Sequence, residues 1–321
     1  MSALERCAFA CLWLFALVAR AEPLAIAVTR SPLSLPLYVA QHEGYFAAAG
    51  LAPKLIDCIS GQRCLQLMLD GGADVATAAD SPLMFSSFKR DDYVVIGTFV
   101  TTSDDVKLVA RRDAGVARPA DLAGKKIGVV RGTSSHFFLD AHLLWHGVDP
   151  ASVQLVDLQP DEMTGAMQAK RVAAIAAWEP FAWSTLEALQ GQGVVLPHGG
   201  VYMLSFNLVA ARRLAGAGDA DLVKLLRAVA RAAAFIRERP GDAQAILRAR
   251  LGVEQRFIDW VWRGLRFELA LEQSLIRTLE SEARWAIRER HVAGKAAPNY
   301  LRFMHSAPLR ELDATTVGLS R

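Results

Sequence analysis

Apolar and polar positions along this chain follow a pattern that is written twice. Ile26-Ala-Val-Thr-Arg30 is a short apolar run closing on a polar turn, Leu37 to Ala49 keeps its apolar residues near one side of a helix, and a second strand-like run ends near Cys58. About a hundred residues later Ile127-Gly-Val-Val-Arg131, a helix from about Phe137 to Trp145 and Val153-Gln-Leu-Val-Asp157 repeat the order. Pro36 suits the first turn of the first helix and Gly50 its exit; Ser134 or Ser135 can cap the second, which Gly147 stops.

A further block strengthens the repeat. Leu67-Met-Leu-Asp-Gly-Gly-Ala-Asp-Val-Ala-Thr-Ala-Ala-Asp80 aligns with Ala166-Met-Gln-Ala-Lys-Arg-Val-Ala-Ala-Ile-Ala-Ala-Trp-Glu179, each a helix end, a turn and a buried strand that delivers an acidic residue ahead of Pro82 or Pro180. Lys107-Leu-Val-Ala-Arg-Arg112 and Asn207-Leu-Val-Ala-Ala-Arg-Arg213 are likewise apolar strands closed by paired arginines, and are expected to be the two crossings of a hinge near Val109 and Val209. From Ala220 the period becomes helical, over 222–236, 242–251, 254–265 and 275–290, in helices expected to pack back on the first lobe. The fold class is α/β, with two similar lobes: residues 22–110 with 208–321 form lobe one and 111–207 lobe two.

The first residues change where this fold works. Cys7 to Ala19 is an uninterrupted apolar run after Arg6, and Ala19-Arg20-Ala21 has the small-x-small form of a signal-peptidase site, so residues 1–21 are expected to be a signal peptide cleaved after Ala21. The run is too short for a stable membrane anchor, and neither Cys7 nor Cys11 sits in a lipobox. The full chain carries +3, and losing Glu5, Arg6 and Arg20 leaves +2, which points to no nucleic-acid partner and no membrane-surface role. Cys58 and Cys64 then remain alone in Cys58-Ile-Ser-Gly-Gln-Arg-Cys64; in an oxidising compartment they are expected to form a disulfide.

Ligand candidates follow from the repeat. The amino end of a helix offers unpaired N–H groups and partial positive charge, so Thr133, Ser134, Ser135 and His136 are the first candidates for holding an anionic or strongly polar head, faced by Ser31, Ser34 and Leu35 from lobe one. The alternative for Ser134 and Ser135 is that they only cap their helix. Asp80, Ser81, Trp178 and Glu179 follow apolar strands expected to end at the cleft, and Trp178 would wall an apolar tail unless it is simply core. If Asp80 and Glu179 both line the cleft, an aminosulfonate or a pyrimidine fits better than nitrate. Ser103 and Asp104 add polar contacts or form a surface turn.

Other chemistries fail on their spacing. His142 and His146 stand four apart near His136 and Asp140 but lack a firm third ligand, so no metal is expected. Ser86-Ser-Phe-Lys89 contains Ser-x-x-Lys without its Ser-Asp-Asn and Lys-Thr-Gly partners, and no Gly-x-Ser-x-Gly, His-Glu-x-x-His or Gly-Lys-Ser/Thr loop is present. No cofactor is implied.

Pro36-Leu-Tyr-Val-Ala40, Gly44-Tyr-Phe46, Gly50-Leu51, Gly72-Ala-Asp74, Asp121-Leu-Ala-Gly-Lys-Lys-Ile-Gly128 and Trp178-Glu-Pro180, in that order, resemble the periplasmic solute-binding proteins of the nitrate, sulfonate and taurine ABC importers, the SsuA/THI5-like or NMT1-like proteins. The resemblance runs from Leu24 to about Arg239. It implies a type II periplasmic-binding-protein fold, two Rossmann-like lobes on a two-strand hinge, in a periplasmic monomer that closes on one small-molecule ligand and hands it to an ABC permease in the inner membrane, with no catalysis. One departure stands out: where the family commonly has a Gly-x-x-Asp-Ala turn, this chain reads Ala169-Lys-Arg-Val-Ala-Ala174. The alternatives on the same fold are a carrier for a thiamine-pyrimidine or related heterocycle, an enzyme of pyrimidine synthesis, whose cysteine-rich motif is missing here, a regulatory ligand sensor, which would need a helix-turn-helix, and a periplasmic sensor without a transporter.

Overall fold

The computed structural model describes residues 23–320, so the expected signal peptide lies outside the described residues. Two sheets carry the fold. The first has seven strands in the order Val317–Gly318, Leu265–Glu272, Tyr93–Thr102, Leu204–Ala211, Val75–Ala79, Ala25–Thr29, Lys54–Cys58. The second has five, Gln154–Asp157, Lys126–Val129, Ala174–Trp178, Val106–Arg111, Gly193–Val195. Val75–Ala79 and Ala174–Trp178 are buried at every position, which is why they read as continuous apolar runs.

The repeat is structural. In each sheet a central strand pairs in parallel with two others, Ala25–Thr29 with Lys54–Cys58 and Val75–Ala79, and Lys126–Val129 with Gln154–Asp157 and Ala174–Trp178. Each is then extended by one antiparallel strand, Leu204–Ala211 beside Val75–Ala79 and Val106–Arg111 beside Ala174–Trp178. These added strands hold the two Leu-Val-Ala segments, which corrects their reading as hinge. Val109 is paired inside the second sheet with Ile175 and Val195, and Val209 inside the first with Ala76 and Val95. An apolar run closed by arginines marks the buried strand that follows a crossing. The crossings themselves are Ser103–Asp105 and the segment 196–203, which shifts the lobe boundaries from 110/111 and 207/208 to those segments.

The helices expected after Ala220 form over Asp219–Glu238, Pro240–Leu251, Gln255–Trp262 and Gln273–Arg288. Along the first, Leu222, Leu226, Val229, Ala233 and Ile236 recur at helical spacing and are buried, the larger of them contributing about 1.5–3 kcal/mol each relative to exposure. The strand Leu265–Glu272 between them was not anticipated; it pairs antiparallel with Tyr93–Thr102 and so widens the first sheet.

Two local features depart from expectation. Cys58 and Cys64 are free thiols rather than a disulfide: Cys58 ends an edge strand half-buried, whereas Cys64 points into the core beside the Thr29 hydroxyl at 3.5 Å. Contact with the Cys64 thiol lowers the pKa of Cys58, while burial pushes Cys64 far above the usual thiol range. In the departing turn, Lys170 takes the left-handed conformation (φ 59°) that Gly71 (φ 82°) takes at the matching place in lobe one. The turn geometry is kept without glycine, at a cost of about 1–2 kcal/mol.

Candidate ligand-binding site

The parallel strands of both sheets end at one cleft between the lobes, and the turns after them line it. Lobe one contributes Thr29 and Ser31 after its first strand, Ser60, Gly61 and Gln62 after its second, and Ala79 after its third. Lobe two contributes Thr133 and Ser134 after Lys126–Val129 and Trp178 at the end of Ala174–Trp178. Asp105 enters from the first crossing. The lobes meet closely here: a Cβ on Gly132, whose φ is +74°, would lie 3.2 Å from the Gln62 amide nitrogen, and Arg63 donates to Gln159 across the gap at 3.4 Å. About 30 Å³ remains between them, room for one or two waters.

Two helix amino ends converge on this space. Ser60 caps the helix Gly61–Leu69, its hydroxyl accepting from the Arg63 N–H at 3.2 Å. Ser134 opens the helix Ser134–Trp145, whose cap, Thr133, makes no side-chain capping bond. Backbone N–H groups and the positive ends of both helices therefore face a site whose lining includes no Lys, Arg or His. Leu33, Pro82, Trp178, Leu204 and Phe206 add apolar surface to the same lining.

The candidates named from sequence divide sharply. Ser31, Thr133, Ser134 and Trp178 line the cleft. The Ser31 hydroxyl is buried without a hydrogen-bond partner, and Ser134 is 5% exposed with no internal partner for its hydroxyl, so both are free for a ligand. Thr133 instead donates to the Val130 carbonyl at 2.7 Å, and Ser135 accepts from the Val130 N–H at 3.2 Å, so their hydroxyls serve the turn. Ser34 donates to the Thr29 carbonyl at 2.6 Å, and Leu35 is core.

The acidic candidates are held by the protein itself. Asp80 is fully buried and accepts from the Ser81 N–H at 2.9 Å, the Ser205 N–H at 2.9 Å and the Tyr202 hydroxyl; burial raises its pKa to about 6 against those bonds. Ser81 donates to Glu282, whose own carboxyl burial keeps well above the carboxylate range. Glu179, 1% exposed, accepts from the Trp260 indole at 2.7 Å and the Trp183 N–H at 3.0 Å and pairs with Lys107 at 3.5 Å. Asp104 binds Lys107 and His198, both at 3.1 Å, and ties the two crossings together; Ser103 beside it is half-buried outside the cleft. His136 turns away from the cleft to pack on Trp285 and His291. None of these is placed to meet a ligand amine, which removes the ground for preferring an aminosulfonate or a pyrimidine.

Asp105 was missed by sequence reasoning. Burial, with the Glu179 charge beside it, raises its pKa to about 8, so at neutral pH it is an uncharged O–H donor. Ser60 to Gln62 were also missed, although Ser60 before a run with apolar residues at helical spacing is a legible helix start.

A sequence model described as NMT1/THI5 like matches residues 31–243. The chain belongs to this family. Among its relatives, the putative aliphatic sulfonates-binding protein of Bacillus subtilis is 26% identical over 65% of this chain and 64% of its own length. The taurine-binding periplasmic protein of Escherichia coli is 28% identical over 55% of this chain and 54% of its own. This chain thus spans just under two thirds of the first and about half of the second. The alkanesulfonate-binding protein SsuA of Xanthomonas axonopodis pv. citri, solved with MOPS bound, superposes with a TM-score of 0.78 at 18% identity over 89% of this chain and 98% of that one. The fold expected from the family, a periplasmic-binding-protein fold, is therefore the fold of this protein. Among the described residues no helix is long and apolar enough to cross a membrane.

Proposed function

We propose that this protein is the extracytoplasmic substrate-binding component of an ABC importer and captures an unbranched alkanesulfonate between its lobes. The observation that carries this reading is the mixed lining of the cleft: the free hydroxyls of Ser31 and Ser134 and the amino ends of two helices, together with the apolar side chains of Leu33, Trp178, Leu204 and Phe206. A sulfonate oxygen cluster takes hydrogen bonds from neutral donors and its alkyl chain takes the apolar surface. A neutral Asp105 adds a donor and offers no charge to an ammonium, which favours a plain alkanesulfonate over taurine at pH 7. The names of the relatives, binding proteins for aliphatic sulfonates and taurine, support the same class and a role without catalysis. Export by residues 1–21, delivery to a permease and a monomeric state complete the proposal.

The narrow space between the lobes admits no such ligand as it stands, so capture requires them to part about the crossings at Ser103–Asp105 and 196–203 and to close again. Calorimetry of the purified protein against ethanesulfonate, taurine, nitrate and the thiamine pyrimidine tests the reading; saturable binding of the pyrimidine alone would replace it. Removing both free hydroxyls, Ser31→Ala with Ser134→Ala, is expected to weaken ethanesulfonate binding by about 10- to 100-fold, the loss of hydrogen bonds to a charged group. Unchanged affinity would show that the head group sits elsewhere.

Affinity is also expected to depend on pH. The sulfonate stays ionised throughout, while Asp105 donates only when protonated, so binding weakens as pH rises through about 8. Asp105→Asn should bind with little change between pH 6 and 9. A wild-type affinity that is flat over that range would remove Asp105 from the site.

A further inference from the structure

Outside the residues that line the cleft, three side chains converge: His136 and Asp140 from the helix Ser134–Trp145 and His291 from the segment following Gln273–Arg288. One donor atom from each lies within 4.8 Å of the others. The rings of His136 and His291 are 4.4 Å apart, and the His291 Nε2 stands 3.9 Å from an Asp140 carboxylate oxygen. Both nitrogens of His136 and the Nε2 of His291 are buried without a hydrogen-bond partner. A buried polar atom left unpaired costs about 1–3 kcal/mol, and here one nitrogen from each imidazole lies within 4.8 Å of an Asp140 carboxylate oxygen.

Asp140 is meanwhile held in place, accepting from the Trp285 indole N–H at 2.9 Å. An oriented carboxylate with two imidazoles is a donor set for a divalent first-row transition metal, three protein ligands leaving a fourth position open. Tetrahedral zinc places its donors about 3.4 Å apart, so the side chains need draw in by no more than about 1.5 Å.

We propose that His136, Asp140 and His291 bind a divalent transition metal, zinc foremost, at a site separate from the ligand cleft. The site joins lobe two, through His136 and Asp140, to the carboxy-terminal segment packed on lobe one, through His291 and Trp285. His136 is two residues from Ser134 in the cleft, so a metal here fixes the helix that presents Ser134 and holds the lobes together. By linkage, metal and cleft ligand then raise each other's affinity.

The test is titration of chelator-treated protein with zinc sulfate, followed by calorimetry and by cobalt(II) absorption. One saturable site is expected, with tetrahedral cobalt bands, weakened at least 30-fold in His291→Ala and in Asp140→Asn and unchanged in His146→Ala. The last variant controls for the other histidine pair, His142 and His146, whose rings are 4.6 Å apart and which both bond the Pro197 carbonyl. No zinc binding by the wild type, or binding that survives His291→Ala and Asp140→Asn but falls in His146→Ala, would overturn the proposal. Asp140→Asn keeps a carbonyl oxygen for Trp285, so a result stands even if His291→Ala fails to fold.

Discussion

Lys107→Met is expected to lose about 3–5 kcal/mol of stability, the usual consequence of leaving one buried charge without its partner. Lys107 is 3% exposed, pairs with Asp104 at 3.1 Å and Glu179 at 3.5 Å, and lies 5.2 Å from the centre of the Trp260 ring. Methionine fills the space of the stem and removes the charge, so the deficit reports the stranded carboxylate of Glu179 rather than a cavity. Burial already raises the pKa of Glu179 in the intact protein, partly offset by the Lys107 charge. Without that charge it rises further. An acid whose folded pKa is raised holds a proton that the unfolded chain has released, so its folded state is favoured at low pH and loses stability as pH rises through the shifted value. Urea unfolding should therefore show a large Lys107→Met deficit at pH 7 that shrinks towards pH 5, and Lys107→Met with Glu179→Gln should recover most of it. A variant within about 1 kcal/mol of wild type at pH 7, with no pH trend, would mean that water reaches Glu179 and that the pair contributes little.

Much of this architecture is written in the chain, and its limits have physical causes. The repeat was legible because buried parallel strands must be continuous apolar runs and helices must begin and end with recognisable residues; Ile26, Val75, Ile127 and Ile175 announce their strands directly. Leu265–Glu272 escaped although Phe267, Leu269 and Leu271 alternate with exposed Arg266, Glu268 and Glu272, because that short period-2 stretch lies between strongly helical segments and its first residue, Leu265, also fits the end of the helical period before it. The crossings were misplaced because a hinge has no composition of its own. What the sequence displays is the apolar strand that each crossing leads into.

The site was legible at the level of turns and not of side chains. Strand ends and helix starts brought Ser31, Ser134 and Trp178 to the cleft, as the fold requires. Asp80 and Glu179 arrive at the same strand ends, and whether such a carboxylate faces the ligand or turns inward is decided by partners 80 to 125 residues away, Trp260 for one and Tyr202 and Ser205 for the other. No local pattern carries that information. Cys58 and Cys64 show the same limit: their spacing brings the two thiols into contact, but contact alone does not make a bridge, and both are free.

Asp80→Ala separates these two roles in a single variant. Three donors, the Ser81 and Ser205 N–H groups and the Tyr202 hydroxyl, lose their acceptor in a fully buried place, and the expected cost is about 3–4 kcal/mol. Asparagine does not restore the arrangement, since its NH2 group would confront either the Ser205 or the Ser81 N–H, so Asp80→Asn should fall between alanine and wild type. Tyr202→Phe removes only one bond and should cost about 1–2 kcal/mol. None of the three substitutions removes a group that lines the cleft, so ethanesulfonate affinity, measured on folded protein well below the unfolding midpoint, should stay within about threefold of wild type. The Ser31 and Ser134 substitutions are expected to do the reverse, lowering affinity while leaving the urea midpoint in place. If Asp80→Ala abolished ligand binding with stability intact, the carboxylate would be a ligand group after all, and a ligand carrying an ammonium or ring N–H would regain its place over a simple sulfonate.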